Sequence, residues 1–394
     1  SNLIGKSGLE LYYEKFLRGS AGEKLIEVNA LGEPQRERYI VKSTPGKNVV
    51  LEIDGELQRF AASTLERHVR ALGKKAGAIV VVDPRDGAVR ALTSFPSYDS
   101  NIFGRGSSRK DLEFLLNDPA KPFFNRAVSG AYPSGSTIKP LIAAAALEEK
   151  IIDPEKSIYD PGFISVPNPY DPDNPTIFKD WKALGWVDMR RALAFSANVY
   201  FYTVGGGYQD VRGLGIKRIK KFLELFGWGS VLGIDLPGES GGLVPDSEVK
   251  KITRPKDPVW RIGDTYITSI GQGDLQATPL QLAVAVAAIA NGGTLWKPRL
   301  AKAVADEEKR SVQEFSPQAI RSGMIRPENL TVVREGMRQA VTEGSARALN
   351  DLFFTSAGKT GTAQTGVYGK NHGWFVGFAP YENPEIVVAV LVEE

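Results

Sequence analysis

Two periods of hydrophobic and polar residues divide the chain. At Ala76–Asp83 (AGAIVVVD) the apolar residues run without interruption, Pro84-Arg85-Asp86-Gly87 supplies a turn, and Ala88–Ser94 runs back, which predicts a buried hairpin. The same period returns near the end. Thr355–Gln364, Gly373–Ala379 and Glu385–Val392 predict three strands, joined by turns such as Tyr381-Glu382-Asn383-Pro384. Together these make five strands, expected in one antiparallel sheet. Between them the pattern is helical. LIAAAALEEK follows Pro140, and Met189–Val204 and Lys217–Phe226 read as helices. Thr278-Pro279 supplies an N-cap and a first helical position for LQLAVAVAAIA, which Asn291-Gly292-Gly293 ends. The fold class is therefore α+β.

Residues 1–72 read as a separate, non-catalytic N-terminal region, with a Pro-Gly turn, a β-rich run and an amphipathic helix in YIVKSTPGKNVVLEIDGELQRFAASTLERHV. Residues 73–394 form the main domain. Residues 95–131 look irregular, with short helices. Residues 158–180 (IYDPGFISVPNPYDPDNPTIFKD) are rich in Pro, Asp and Asn and read as a long loop; such loops in compact domains are often functional.

Composition narrows the chemistry. At 42% hydrophobic and 24% charged residues the chain is ordinary for a globular protein. A net charge of +3 argues against nucleic acid as the main partner. With no cysteine there is neither a disulfide nor a thiolate site, and the two histidines, His68 and His372, cannot build a multi-histidine metal centre. No run approaches the ~20 apolar residues that span a bilayer.

The turn YPSGSTIKP (Tyr132–Pro140) then asks for an explanation. Ser136 and Lys139 stand at i and i+3 on a helix start, where N–H groups and positive potential gather. A lysine there can serve as a base if desolvation lets it be neutral; a solvated Ser and Lys is the plainer alternative. The pattern S-x-x-K occurs four times, at Ser107–Lys110, Ser136–Lys139, Ser247–Lys250 and Ser356–Lys359, and only Ser136 opens an alanine-rich apolar helix. S-x-N occurs once, at Ser196-Ala197-Asn198 within ALAFSANVYFY, where two polar side chains in an apolar setting need partners. A helix–helix hydrogen bond is the other use for them. K-[S/T]-G occurs at Lys6-Ser7-Gly8, in a polar segment outside the main domain, and at Lys359-Thr360-Gly361, on the predicted strand SAGKTGTAQ. A P-loop ending at Gly358-Lys359-Thr360 lacks its first glycine, the residue there being Phe353. Gly238-Glu239-Ser240-Gly241-Gly242 fits G-x-S-x-G but lies in a Pro/Gly loop and reads as a turn.

Three motifs remain, in the order SxxK, SxN, KTG. The set resembles the penicillin-binding protein and serine β-lactamase superfamily. DPRDGAVRALTSFPSYD (83–99), NRAVSGAYPSGSTIKP (125–140), GQGDLQATPLQLA (271–283), KTGTAQ (359–364) and HGWFVGFAP (372–380) resemble class B penicillin-binding proteins of the monofunctional elongation type. GKSGLELYYEKFLRGSAGEK (5–24) is similar to that group's pedestal. The resemblance runs over nearly the whole chain. The family is normally tethered by an N-terminal membrane helix, carries a larger N-terminal head, and usually closes its fold with a helix on the sheet. None of these is in this sequence, which is expected to be a shortened form.

The resemblance implies an α/β/α domain, a five-stranded antiparallel sheet with helices on both faces, plus a small pedestal. It implies a D,D-transpeptidase that cross-links peptidoglycan stem peptides ending in D-Ala-D-Ala, is acylated by β-lactams, and needs no metal or organic cofactor. It places the protein on the outer side of the bacterial cytoplasmic membrane, beside a membrane glycosyltransferase of the elongation machinery. By the same resemblance Ser136 is the nucleophile, Lys139 takes its proton, and Ser196 relays a proton to the leaving amine with help from Lys359. Asn198 binds the substrate amide and holds Lys139. Lys359, Thr360 and Thr362 face the terminal carboxylate, Gly361 admits the substrate backbone, and the N–H groups of Ser136 and Thr362 form the oxyanion hole. A β-lactamase or carboxypeptidase, and a non-catalytic β-lactam sensor or scaffold, are the competing readings. The pedestal-like N-terminus favours the transpeptidase.

Overall fold

The computed structural model describes residues 4–103, 109–168, 171–367 and 369–394. Its central sheet contains the five expected strands: β1 (Ala76–Val82), β2 (Val89–Phe95), β3 (Ala357–Gln364), β4 (Asn371–Ala379) and β5 (Ile386–Glu393). All pairings are antiparallel, in the order β3-β4-β5-β1-β2. The two ends of the chain meet where β5 pairs with β1, Val387 opposite Val82 and Glu393 opposite Ala76. Every residue of β1 is buried, because both faces of the sheet are covered there. β3, which carries Lys359, is an edge strand.

One face of the sheet supports α2 (Lys139–Glu148), α4 (Asn198–Gly206), α5 (Pro279–Ala290) and α6 (Pro327–Thr342), which share one core with Val80, Val82, Val376 and Ala389. α5 is buried all round and begins with a capping box between Thr278 and Gln281. The other face is covered by α1 (Gly55–Ala71), whose Ala61, Leu65 and Val69 pack on Ile79, Val81 and Ala91. Asp54 caps α1 by accepting from the N–H groups of Glu56 and Leu57. The sequence groups α1 with the N-terminal region, yet its apolar stripe is spent on the sheet. Just before it, Asn48–Leu51 pairs with Ala301–Ala305. Packing is therefore continuous across residue 72.

Further out, Glu23–Val28 and Pro34–Val41 form a hairpin exposed at every position, apolar Leu25, Ile26, Tyr39 and Ile40 included. The N-terminal segment is tied to the main domain by Tyr13, whose hydroxyl donates to Asp235 Oδ2 at 2.5 Å. Among the described residues no helix is long and apolar enough to cross a membrane.

Two expected elements differ. Met189–Val204 is two helices, α3 (Met189–Phe195) and α4, separated at Ser196-Ala197. The loop 158–180 contains short strands: Phe163–Val166 pairs with Thr176–Lys179, and Ile158–Asp160 pairs with Gly185–Val187.

Candidate active site

Ser136 lies in a 3₁₀ turn, Gly135–Ile138, that runs directly into α2 at Lys139. At three residues per turn, positions i and i+3 eclipse, so this turn aligns Ser136 with Lys139 more closely than an α-helix would. Gly135 has φ +54°, and a Cβ on it would meet Thr362 O at 2.5 Å. A Cβ on Gly361 would meet Thr137 Cγ2 at 2.8 Å and Ser134 O at 3.0 Å. The two glycines thus let the serine turn sit directly against β3. The space at Gly361 is taken by that turn, whereas the sequence reading reserves it for substrate.

Lys139 has no exposed surface. Its Nζ donates to Ser196 O at 2.7 Å, to Asn198 Oδ1 at 2.7 Å and to Ser196 Oγ at 3.3 Å. The Phe201 ring lies 5.3 Å away. Burial pushes its pKa down to about 7, against the pull of the Asp180 and Asp160 charges. Ser136 Oγ is not among its hydrogen-bond partners in this resting arrangement. Lys359 is buried as well, and its Nζ donates to Ser196 Oγ at 2.9 Å and to Thr360 O at 2.9 Å. Burial first, and then the Lys139 charge, hold it well below the ordinary lysine range. Two ammonium groups on one hydroxyl repel, so the arrangement favours one protonated and one neutral lysine. Ser196 can then accept from one and donate to the other, which is what a proton relay requires.

The break between α3 and α4 makes this possible. Residues i and i+2 of a continuous helix do not face one another, so Ser196 and Asn198 could not both reach Lys139 from one. Ser196 instead ends α3 in the left-handed region, with φ 60° and ψ 39°, at a cost of about 1–2 kcal/mol for a non-glycine residue. α4 restarts at Asn198, and Asp180 caps it by accepting from Asn198 N and from Val199 N at 2.8 Å.

On β3, Gln272 Nε2 donates to Thr362 O at 3.0 Å, and Gln272 Oε1 accepts from Gln364 N at 3.1 Å. These residues therefore direct their backbone groups away from β4, and by the alternation of an antiparallel strand Thr362 N–H lies on the same outer rim. Ser136, at the start of a helical turn, has an N–H without an intrahelical acceptor. A Cβ on Gly135 would also meet Thr362 N at 3.1 Å, so the residue before Ser136 packs directly on Thr362.

Residues 77–394 match the family described as the penicillin binding protein transpeptidase domain, and residues 1–51 match the penicillin-binding protein dimerisation domain. The chain belongs to the penicillin-binding protein transpeptidase family. Its likeness is to the class B, elongation-type penicillin-binding proteins. The Haemophilus influenzae protein named peptidoglycan D,D-transpeptidase MrdA is 36% identical over 414 residues, covering all of this chain and 60% of that protein. The chain thus spans about 60% of the length of the curated relatives it matches. The crystal structure of Pseudomonas aeruginosa PBP2 in complex with WCK 5153 superposes with a TM-score of 0.81 at 37% identity, over 99% of this chain and 79% of that one. A complex of Helicobacter pylori PBP2 with MreC superposes with a TM-score of 0.81 at 32% identity, over 99% and 68%.

The other sequence candidates of this penicillin-binding protein have separate duties. Ser247 also opens a helix, Ser247–Thr253, so a helix start alone does not mark the nucleophile. Its partner Lys250 is engaged by Asp264 Oδ2 at 2.8 Å and Val259 O at 2.9 Å. Ser356 precedes β3, its Oγ buried without a hydrogen bond. Ser107 lies outside the described residues. In the G-x-S-x-G segment, Glu239 gathers the N–H groups of Leu232, Gly233 and Ile234, a structural turn. His372 accepts from Glu394 N at 3.2 Å, and His68 Nδ1 lies 2.9 Å from Thr64 O.

Lys359 departs from the sequence expectation in one respect. It is enclosed, so the strand's outward-facing polar groups are Thr360, whose hydroxyl donates to Ser345 Oγ at 2.8 Å, and the exposed Thr362 and Gln364. Ser345, Gln272, Asp160 and Asp180 belong to none of the three motifs. For the two acids a signal existed, in the Asp-rich stretch 158–180.

Proposed function

We propose that this chain carries the catalytic part of a peptidoglycan D,D-transpeptidase, which forms a serine acyl-enzyme and cross-links stem peptides. The observation that carries this is Ser196 Oγ set between Lys139 and Lys359 beside the Ser136 turn. Ser136 Oγ attacks the carbonyl carbon of the penultimate D-alanine as neutral Lys139 takes its proton. The oxyanion forms against the N–H groups of Ser136 and Thr362, a contact typically worth ~2.7–4 kcal/mol of barrier per donor. As the C–N bond breaks, the terminal D-alanine leaves with a proton from Ser196 Oγ, which is refilled from the flanking lysines. The amine of a second stem peptide then attacks the ester by the reverse sequence. Asn198 holds Lys139 and offers its amide to the substrate backbone, and Thr360 with Thr362 meets the terminal carboxylate, backed by Lys359.

The same reading makes β-lactams covalent inhibitors and puts the protein outside the cytoplasmic membrane. It takes a membrane glycosyltransferase of the elongation machinery as partner. The Helicobacter pylori PBP2–MreC complex supports an assembly partner for this chain too. The test is labelling with a fluorescent penicillin, wild type against Ser136→Ala, with peptide mapping of the adduct. The label is expected on Ser136 alone; a label on Ser107, Ser247 or Ser356 overturns the assignment.

A further inference from the structure

The turn that carries Ser136 is fastened to the central sheet through the carbonyl of Pro133. Trp374 of β4 pairs with Gly361 of β3, and residues directly opposite in an antiparallel pair project on one face. Gly361 leaves its part of that face bare, and Ser134 O and Thr137 Cγ2 occupy the space. Trp374 fills the part beside it. The residue is only 4% exposed, and its Nε1 donates to Pro133 O at 2.9 Å. Among the described residues this is the one hydrogen bond from a sheet side chain to the backbone of residues 132–138. A buried indole N–H ordinarily finds some acceptor; the place of this one in the turn gives the bond a further consequence. Three successive peptide planes, each rigid, lead towards Ser136. The Tyr132–Pro133 plane is held by Ala277 N, which donates to Tyr132 O at 2.9 Å. The Ser134–Gly135 plane is held at both ends, by Thr137 Oγ1 donating to Ser134 O at 2.7 Å and by Gly135 N donating to Gly271 O at 2.8 Å. The plane between them, Pro133–Ser134, is held by Trp374.

We propose that Trp374 is a positioning residue for the nucleophile: its indole N–H fixes the Pro133–Ser134 plane, and through it the placing of Ser136 Oγ and Ser136 N–H. This rests on the reading of Ser136 as the nucleophile. The pyrrolidine ring of Pro133 already sets its φ, so a pinned carbonyl sets its ψ as well. Beyond it stands Gly135, at φ +54° and with no Cβ to resist a change. An error in the Pro133 plane therefore passes through Gly135 to the next plane, Gly135–Ser136, whose N–H is the one proposed for the oxyanion. Misplacement of a reacting group by 1 Å can cost about 10²-fold in rate. The indole is itself kept in place: the Tyr132 ring meets it edge-on with centroids 6.3 Å apart, and Tyr132 Oη donates to Glu393 Oε2 on β5 at 3.0 Å. Two neighbouring strands thus grip the residues just before the serine, and the Trp374 bond is the grip that acts on the backbone.

The experiment follows acylation by a penicillin in stopped flow, separating the dissociation constant of the non-covalent complex from the limiting acylation rate. Trp374 is replaced by 3-benzothienylalanine, which keeps the bicyclic shape and puts sulfur where the N–H stood. The limiting rate is expected to fall about tenfold, the size expected for one hydrogen bond, with the dissociation constant within about twofold of wild type. The acid limb of the rate should stay in place, since the Lys139 hydrogen bonds are untouched. Val80→Ala is the control for stability: it opens the core at β1, two strands away from β4, and should lower the unfolding midpoint without changing the limiting rate. An equal fall in Val80→Ala makes the loss a general result of destabilisation and overturns the proposal. So does an unchanged limiting rate in the benzothienylalanine protein, or a loss confined to the dissociation constant. Trp374→Phe, which also lacks the N–H, is the second variant; if only one of the two folds, that one decides by the same criteria. Failure of the wild type to acylate at Ser136 would instead remove the functional reading itself.

Discussion

Lys359 Nζ donates to Ser196 Oγ at 2.9 Å while lying wholly out of solvent. The lysine of the KTG motif is thus wired to the relay serine first and to any ligand second. The second lysine on that serine, Lys139, comes from a different element, α2.

Under the proposed function, this arrangement would divide recognition of a terminal carboxylate between Thr360, at the surface, and Lys359, behind it. Replacing the carboxylate of a peptide substrate by an amide should slow acylation of the wild type. It should matter much less in Lys359→Ala, and less also in Thr360→Val. Equal sensitivity in all three proteins would take the carboxylate off this strand.

Lys139 must be neutral to accept a proton, so acylation should rise with pH through about 7 and level off above it. Lys139→Ala should lose about 10²–10⁴-fold in acylation rate, and Lys139→Arg should fail as well, since arginine stays charged. A near wild-type rate in Lys139→Arg would show that Lys139 is not the base. The same shift bears on stability. The folded pKa is depressed from 10.5 to about 7, so between those values the unfolded chain binds the extra proton and stability rises with pH. Urea unfolding of Lys139→Met should show a smaller rise, the part that remains coming from Lys359, whose burial holds it down in the same direction.

Gly361→Ala would drive a methyl group into Thr137 Cγ2 and Ser134 O. Overpacking of this kind costs about 1–3 kcal/mol, readable as a lower unfolding midpoint. The displaced turn also carries Ser136, so the acylation rate should fall further than stability predicts. A fully active but destabilised variant would separate the turn's seating from its chemistry.

The acyl-enzyme is expected to persist. Rapid hydrolysis needs a base that activates water, a role glutamate fills in class A β-lactamases. The one acid in the loop after SxN, Asp210, is exposed and paired with Lys156 at 2.5 Å. Asp180 is committed to backbone N–H groups. Mass spectrometry of the penicilloyl adduct after removal of excess drug measures its lifetime. Multiple turnovers of penicillin would promote the β-lactamase reading.

The strands and the three motifs were legible because they are local. β1 is a single uninterrupted apolar run, and Thr278-Pro279 with Gln281 writes a helix start into four residues. What escaped depends on distance. The pattern ALAFSANVYFY is helical throughout, and nothing in it announces that Ser196 adopts a left-handed conformation; that is imposed by α4 restarting on a cap from Asp180, eighteen residues upstream. Gly361 looked like room for a ligand, since sequence cannot show that the serine turn fills it. α1 was placed with the N-terminal region by its position in the chain, whereas its apolar face decides its partner.

An unpaired edge strand is an open invitation to any other strand. Gln272, clipped to Thr362 O and Gln364 N, closes one end of the β3 rim, and Lys359 Nζ occupies Thr360 O near the other. The carbonyls of Thr360 and Thr362 and the N–H of Gln364 are thereby already engaged along that edge. The protein can therefore keep an unpaired sheet edge without offering enough of it for a second sheet to grip.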